Sequence, residues 1–431
     1  MLGFNSLVAV ACLVSAVTIL YANNRLGSRR LVDISAAVPD VSTTATTLVP
    51  SAPVTATDGS IVADTTEPEI VVPAGDVGAK NFLLTASDAR QCIDPNSPDA
   101  DSYLGSGADI GERADTIMML RIDTNTNQAA VLSFPRDLWV RIGTSNRKSR
   151  INSTLDSNDP EKIISTIYTN FGLPVDHLIN VDFCAFKGLV DAVGGVAVPF
   201  EYAARDRATG LDVPAECHLF SGDEALRYVR SRKYQYFDPD TNEWVSDGTS
   251  DLGRITRQQD FLKRTLQKAL DEGARDLRVA NRLINTSLQY VVTDTNLTPD
   301  VMLQVANAMK DFDPATVATF QIEGRSRNVS GNSVLEPVLD SENMQAVLAV
   351  FRGEARIADA SDFVVTDPNA STTTGPATSV DDGVTSVTST TTAGAAPGGS
   401  TTTTAPGTTL PIAAVEENIK GLYPPRDLSC R

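Results

Sequence analysis

The chain has 431 residues, with 54 Asp and Glu against 36 Lys and Arg, for a formal net charge of -18. That balance excludes a general affinity for nucleic acid, which needs a basic surface, and leaves room only for a local basic pocket. A 42% apolar share supports one large domain or two ordinary ones, with tails.

The first 24 residues carry no charged side chain, and Phe4–Ala22 is a mostly apolar run of about bilayer-spanning length. Residues 1–24 are therefore expected to form a transmembrane anchor. A cleaved signal peptide is the other reading, although the basic segment that normally precedes one is missing. Arg25, Arg29 and Arg30 follow the span, and the positive-inside rule would keep the body in the cytoplasm. Against that stand Ser-, Thr-, Pro- and Ala-rich flanks and four cysteines outside the span (Cys92, Cys184, Cys217, Cys430) without metal-ligand spacing. The expectation is a single-pass type II cell-membrane protein with its domain outside the cytoplasm.

Residues 25–77 read as a flexible spacer, 78–360 as the compact domain and 361–411 as a Thr/Ser/Pro-rich linker. Residues 412–431 regain apolar side chains, as a tail docked through Cys430 would. Within the domain, Asn81–Thr85, Thr116–Ile122 and Ala129–Phe134 have the character of buried strands, the last two joined by the turn Asp123–Gln128. Helices are expected over 160–171 and 183–192, the second stopped by Gly194-Gly195 and flanked by strands 178–183 and 196–200. Ser221-Gly-Asp-Glu224 is a capping box opening the helix that carries Tyr228 and Arg230.

A further helix starts near Gly253. Phe261, Leu262, Thr265, Leu266 and Ala269 share one face with Arg254 and Gln258, and Arg257 lies at its border. A guanidinium on a core-facing stripe is costly unless paired, so Arg254 is expected to face an anion in a cleft. A salt bridge to Asp251 or Glu224 is the plainer alternative. Arg230, Arg232, Arg254 and Arg257 concentrate guanidinium groups in an acidic chain, and such planar forks match phosphate oxygens in pairs.

Further charged pairs fall at strand ends: Asp88 and Arg90, Arg113 and Asp115, Arg136 and Asp137, then Arg150 with Asn152. Each pair alone reads as a surface ion pair; their recurrence suggests a site at one edge of an α/β sheet. Two carboxylates with several arginines suit a metal–pyrophosphate complex. Neither a phosphate-binding GxxxxGK[ST] loop nor a GxSxG elbow is present, and His177 and His218 read as structural.

The ordered segments ASDAR (86–90), RADT (113–116), SFPRD (133–137), RIN (150–152), VDFCAFKGLVDAVGGV (181–196), YVRSR (228–232) and DLGRITRQQ (251–259) resemble the LytR-CpsA-Psr (LCP) family. The resemblance runs from about 80 to 272 and continues through the helical stretch to about 355. It implies an α/β fold, a mixed central β-sheet packed between helices with an apolar polyprenyl pocket. It also implies a membrane-anchored phosphotransferase acting in cell-wall biogenesis. The expected reaction moves a glycopolymer from an undecaprenyl-pyrophosphate carrier to a peptidoglycan hydroxyl. By the same resemblance Asp88 and Asp115 bind magnesium (Mg2+) or manganese (Mn2+). Arg90, Arg113, Arg136, Arg150, Arg230, Arg232, Arg254 and Gln258 surround the pyrophosphate. Arg136, Asp137 and Asp251 are the catalytic candidates, and the general base stays open among Asp115, Asp137 and Asp251. ASD replaces the commoner GSD before Asp88, and SDLGR stands where GDxGR is frequent; neither removes a charge. A lipid-pyrophosphate hydrolase and a non-catalytic surface sensor of lipid-linked polymer are the alternatives.

Four cysteines allow three pairings. Cys184 opens a helix beside the glycine turn and Cys217 precedes the capped helix, which favours Cys184–Cys217 and leaves Cys92–Cys430.

Overall fold

The computed structural model describes residues 30–34, 78–87, 114–156, 159–273 and 277–298, and, with short gaps, 301–357 and 410–430. The expected anchor, most of the spacer and the Thr-rich linker lie outside the described residues. Among the described residues no helix is long and apolar enough to cross a membrane.

The domain is built on a mixed seven-stranded sheet. Its strands are β1 (Arg30–Val32), β2 (Ala79–Ser87), β3 (Ala114–Asp123), β4 (Gln128–Ser133), β5 (His177–Val181), β6 (Val292–Asp294) and β7 (Ala318–Gln321). The spatial order is β1-β6-β5-β2-β3-β4-β7. β2 pairs antiparallel with β3 and parallel with β5, and β4 pairs antiparallel with β3 and parallel with β7. Ile117-Met118-Met119-Leu120 is continuously apolar because this central strand is covered on both faces. Ile117 and Met119 join a core with α1 (Glu161–Phe171), while Met118 lies on the opposite face, towards Leu262 and Leu266.

On that second face lie α2 (Phe183–Ala192), α3 (Gly222–Arg230), α4 (Asp251–Gly273) and α5 (Leu277–Tyr290). α6 (Glu342–Arg352) returns to the first face, contributing Met344, Val347, Leu348 and Phe351. Local sequence explains where the helices stop and start. Asp182 caps α2 by accepting from Ala185 N at 2.7 Å, and the expected box at Ser221 and Glu224 is formed on α3.

Residues 30–34, inside the stretch expected as spacer, instead enter the domain. β1 pairs in parallel with β6, and Ile34 is fully buried in the core. Val32 and Ile34 pack against the core while Leu31 stays exposed, and a solvated spacer would not make that packing.

The tail lies along the opposite edge. Ile412–Ala413 pairs in parallel with Arg356–Ile357, and Ala413 and Val415 are buried. Glu417 then accepts from Thr319 N at 2.8 Å, and Asn418 accepts from Gln321 N at 2.9 Å while donating to Gln321 O at 2.9 Å. These side chains satisfy the open backbone of edge strand β7 as a neighbouring strand would. Cys430 is bonded to Cys217, with their Cα atoms 5.8 Å apart. The expected Cys184–Cys217 and Cys92–Cys430 pairs are therefore both incorrect. Cys184 is itself disulfide-bonded, but it is buried at the start of α2, whereas Cys217 sits exposed opposite Pro199 at a hairpin end that the tail reaches.

Candidate active site

The site lies where α3 and α4 meet the ends of β2, β3 and β5. Its centre is a line of alternating charges. Arg150 Nε lies 3.1 Å from Asp137, Arg136 Nε lies 3.7 Å from Asp137 and 3.5 Å from Asp251, and Arg254 lies 3.0 Å from Asp251. Arg150 also donates to Ser333 O at 2.9 Å. Arg254 thus has the Asp251 partner that the plainer reading proposed, and it also lines a cleft. Glu224 is not its partner; that carboxylate faces His218 at 3.5 Å.

The cleft is a cavity of about 220 Å³ between the sheet and helices α2, α3 and α4. Its body is apolar, with Leu84, Met118, Phe186, Val190 and Leu262 among the lining residues, and Arg230, Arg254 and Gln258 lie along its wall. A second, polar cavity of about 430 Å³ is lined by Arg230, Arg232, Lys233, Ser250, Arg254 and Asp206. Arg230 and Arg254 belong to both, so two guanidinium groups stand where an apolar chamber meets a cationic one.

These arginines are held by their surroundings. Arg230 lies over the Phe183 ring at 5.0 Å, and Arg254 is only 2% exposed. Gln258 Nε2 donates to Val229 O at 3.0 Å, and its buried Oε1 has no hydrogen-bond partner among the described residues. Arg257, the border position, turns away. It donates to Asp247 at 2.8 Å and to Ser231 O at 2.8 Å, under the Tyr234 ring at 4.4 Å. Burial pushes the Tyr234 hydroxyl up to about 12, against the pull of Arg257, so the ring stays neutral beside its cation. Arg257 is a structural residue.

Gly253 in the DLGR segment is required by space. A Cβ there would come within 2.2 Å of Thr249 Oγ1 and 2.8 Å of Asp247. The tail approaches the same turn, with Thr256 donating to Lys420 O at 2.8 Å.

Asp88, Arg90 and Arg113 lie outside the described residues. Asp115 lies in β3 beside a bulge: Ala86 pairs with Thr116 and Ser87 with Ala114, so Asp115 is the extra residue. Bulges re-aim the chain and recur beside active sites. Asp88 directly follows the last residue of β2 in the sequence. An all-oxygen pair of this kind suits a hard divalent cation. Among the described residues no group of three or more His, Cys, Asp or Glu could hold a metal.

Asp206 was not legible in the sequence. It is 1% exposed, and its Oδ2 accepts from Ser231 Oγ at 2.8 Å, Arg232 N at 3.0 Å and Lys233 N at 2.8 Å. It fixes the turn that carries Arg230 and Arg232 from 25 or so positions away, a separation no local motif encodes.

Known proteins are similar to this chain in sequence. The probable cell wall biosynthesis protein LcpB of Corynebacterium glutamicum is 34% identical over 195 residues, 45% of this chain and 42% of that protein. The polyisoprenyl-teichoic acid–peptidoglycan teichoic acid transferase TagV of Bacillus subtilis is 26% identical over 246 residues, 54% of this chain and 58% of that protein. The matches thus span about half the length of these relatives. Among solved structures, the LytR-Csp2A-Psr enzyme from Actinomyces oris aligns with a TM-score of 0.49 at 19% identity, covering 64% of this chain and 91% of that one. The model of the LytR_cpsA_psr family matches residues 51–349, well over half of the sequence, and the chain belongs to that family.

Proposed function

We propose that the protein is a phosphotransferase of cell-wall assembly. It moves a glycopolymer from an undecaprenyl-pyrophosphate carrier to a peptidoglycan hydroxyl and leaves a phosphodiester. The observation that carries this reading is the pair Arg230 and Arg254, shared by an apolar and a cationic cavity. A ligand with a hydrocarbon chain, a pyrophosphate and a hydrophilic head divides at that point. The chain packs into the apolar cavity, the pyrophosphate meets the guanidinium groups, and the sugar extends past Arg232 and Lys233.

In the reaction the acceptor oxygen attacks the sugar-proximal phosphorus. The bond from that phosphorus to the bridging oxygen breaks, and the polyprenyl phosphate leaves with the bond's electron pair. Arg230 and Arg254 lie where negative charge grows on the leaving phosphate, and preorganised cations there lower the barrier. Arg136 stands on the other side of Asp251, 3.5 Å from its Oδ1. Asp137 lies between Arg136 and Arg150, and Asp251 lies between Arg136 and Arg254, the second of which lines the donor cleft. Asp251 is therefore assigned to take the acceptor's proton, with Asp137 holding Arg136 and Arg150. Magnesium or manganese, held by Asp88 and Asp115, would supply charge neutralisation at the pyrophosphate when bound.

Residues 1–24 would anchor the chain as a single-pass type II protein, with the domain beside the lipid carrier. Purified full chain in detergent, given lipid-linked polymer and peptidoglycan, is expected to form polymer–peptidoglycan phosphodiester, and Arg254→Ala to lose at least tenfold. Release of free polymer phosphate without attachment would instead identify a hydrolase. Full transfer by both Arg254→Ala and Arg230→Ala would sink the proposal.

A further inference from the structure

A second charged surface lies on a hairpin at the Arg150 end of the charged line. Trp139–Arg141 and Lys148–Arg150 form a hairpin in which Trp139 faces Arg150 and Arg141 faces Lys148. These four residues share one face, because side chains alternate along a strand and pairs across it match. Val140, between them in sequence, points the other way and is buried in the core. The first face is therefore the outer one, and Arg141 and Lys148 are exposed on it. A second hairpin, Gly324–Val329 with Asn332–Pro337, adjoins it: Glu336 lies 3.6 Å from Lys148 and is paired with Arg327, and Leu335 N donates to Asp137 O at 2.9 Å. Arg141, Arg147 and Arg325 are exposed with no carboxylate partner among the described residues. In a chain of net charge -18 this concentration of unneutralised cations marks a place for an anion.

Trp139 adds a second requirement. The chain has two tryptophans. Trp244 is covered, with Arg205 at 3.9 Å from its ring and Phe237 at 5.6 Å. Trp139 is half-buried and makes no ring or cation contact among the described residues. An aromatic face beside exposed cations suits a sugar ring that carries carboxylates nearby.

We infer that the outer face of the Trp139–Arg150 hairpin, with the basic hairpin beside it, docks the acceptor, an anionic glycan strand bearing peptide carboxylates. This rests on the phosphotransferase reading. The acceptor is favoured over the donor by position. Both cavities assigned to the donor adjoin Arg254, whereas this face reaches the reacting centre from the opposite end of the charged line, through Arg150, Asp137 and Arg136.

The test uses the full chain in detergent, peptidoglycan sacculi stripped of other polymers, and undecaprenyl pyrophosphate as the donor-side probe. Trp139→Ala and the double variant Arg141→Gln/Lys148→Gln are each expected to weaken co-sedimentation with sacculi about tenfold, the size of a modest hot spot. The thermal shift given by undecaprenyl pyrophosphate stays unchanged. Amidating the sacculus carboxylates removes the effect of the double variant and keeps that of Trp139→Ala. Arg147→Glu, in the exposed turn, provides a reversal away from the packed strands and is expected to act in the same direction. Unchanged co-sedimentation by all three variants overturns the inference. An equal loss of the undecaprenyl pyrophosphate shift also overturns it, by moving the face to the donor. Face-dependent sacculus binding by a chain that transfers no polymer would refute the phosphotransferase reading and leave the docking surface standing.

Discussion

Asp206 accepts the backbone N–H of Arg232 at 3.0 Å, and with the same oxygen it accepts from Ser231 and Lys233. The opposite side of that turn is held by α4, where Arg257 donates to Ser231 O and Gln258 to Val229 O. Three side chains from two elements thus set the position of Arg230 and Arg232, and none of the three needs to touch the reacting phosphorus to matter.

Asp206→Asn keeps the size of this side chain but weakens a carboxylate that serves several donors. The expected result is a rise in KM for the lipid-linked donor of about tenfold, as for loss of one or two charge-assisted hydrogen bonds. The kcat at saturating donor changes less. A kcat loss with unchanged KM would assign Asp206 a different role.

Arg254 and Arg257 are three positions apart on α4, and both are almost fully buried, yet opposite phenotypes are expected. Removing Arg257 strands Asp247, and breaking such a buried pair costs roughly 3–5 kcal/mol. Arg257→Ala should therefore unfold at a much lower urea concentration. Arg254→Ala should lose donor binding well before it loses comparable stability. Urea melts beside donor-binding isotherms separate the two.

The tail closes strand β7 and is tied to the domain by Cys217–Cys430 across a sequence separation of 213. Cys430→Ser is expected to lower stability by about 2–4 kcal/mol, a typical disulfide contribution. Deleting residues 410–431 should go further, exposing the edge strand that Glu417 and Asn418 satisfy and promoting association of the domain. Unfolding midpoints and light scattering check both outcomes.

Asp294 gives a pH signature. Burial alone would raise its pKa, but hydrogen bonding from His177, 3.3 Å away, and from the N–H groups of Leu178 and Leu297 outweighs this and holds it below the ordinary carboxylate value. A carboxyl with a depressed folded pKa stabilises the fold fully above its unfolded pKa of about 4, and that contribution is lost as pH falls through the folded value. Asp294→Asn is expected to be less stable at neutral pH and to show a flatter decline below about pH 4. An acid limb as steep as that of the parent protein would show that other carboxylates govern it.

Where neighbours in sequence settle a structure, the sequence was informative. The apolar runs that became β2, β3 and β4 were evident, as were the capped start of α3 and the glycine stop after α2. The helical period on α4 placed Arg254 and Gln258 on one face and set Arg257 at its border, and the structure gives Arg254 and Arg257 different partners. The charged motifs located the centre formed by Arg136, Asp137, Asp251 and Arg254.

What local pattern could not supply was any pairing between distant segments. The bulge at Asp115 depends on how two strands register. The Asp206 grip and the Cys217–Cys430 bond join residues that meet only after the sheet and helices have packed. Likewise, Val32 and Ile34 carry the apolar character of a core segment, but only the pairing of β1 with β6 brings them onto the core. The sequence by itself determined which residues seek burial, which cap helices and which carry charge, because those properties belong to single side chains and near neighbours. Only the tertiary structure decided which charges share a counterion and which cavity each arginine lines, because those energies exist only between surfaces brought together by folding.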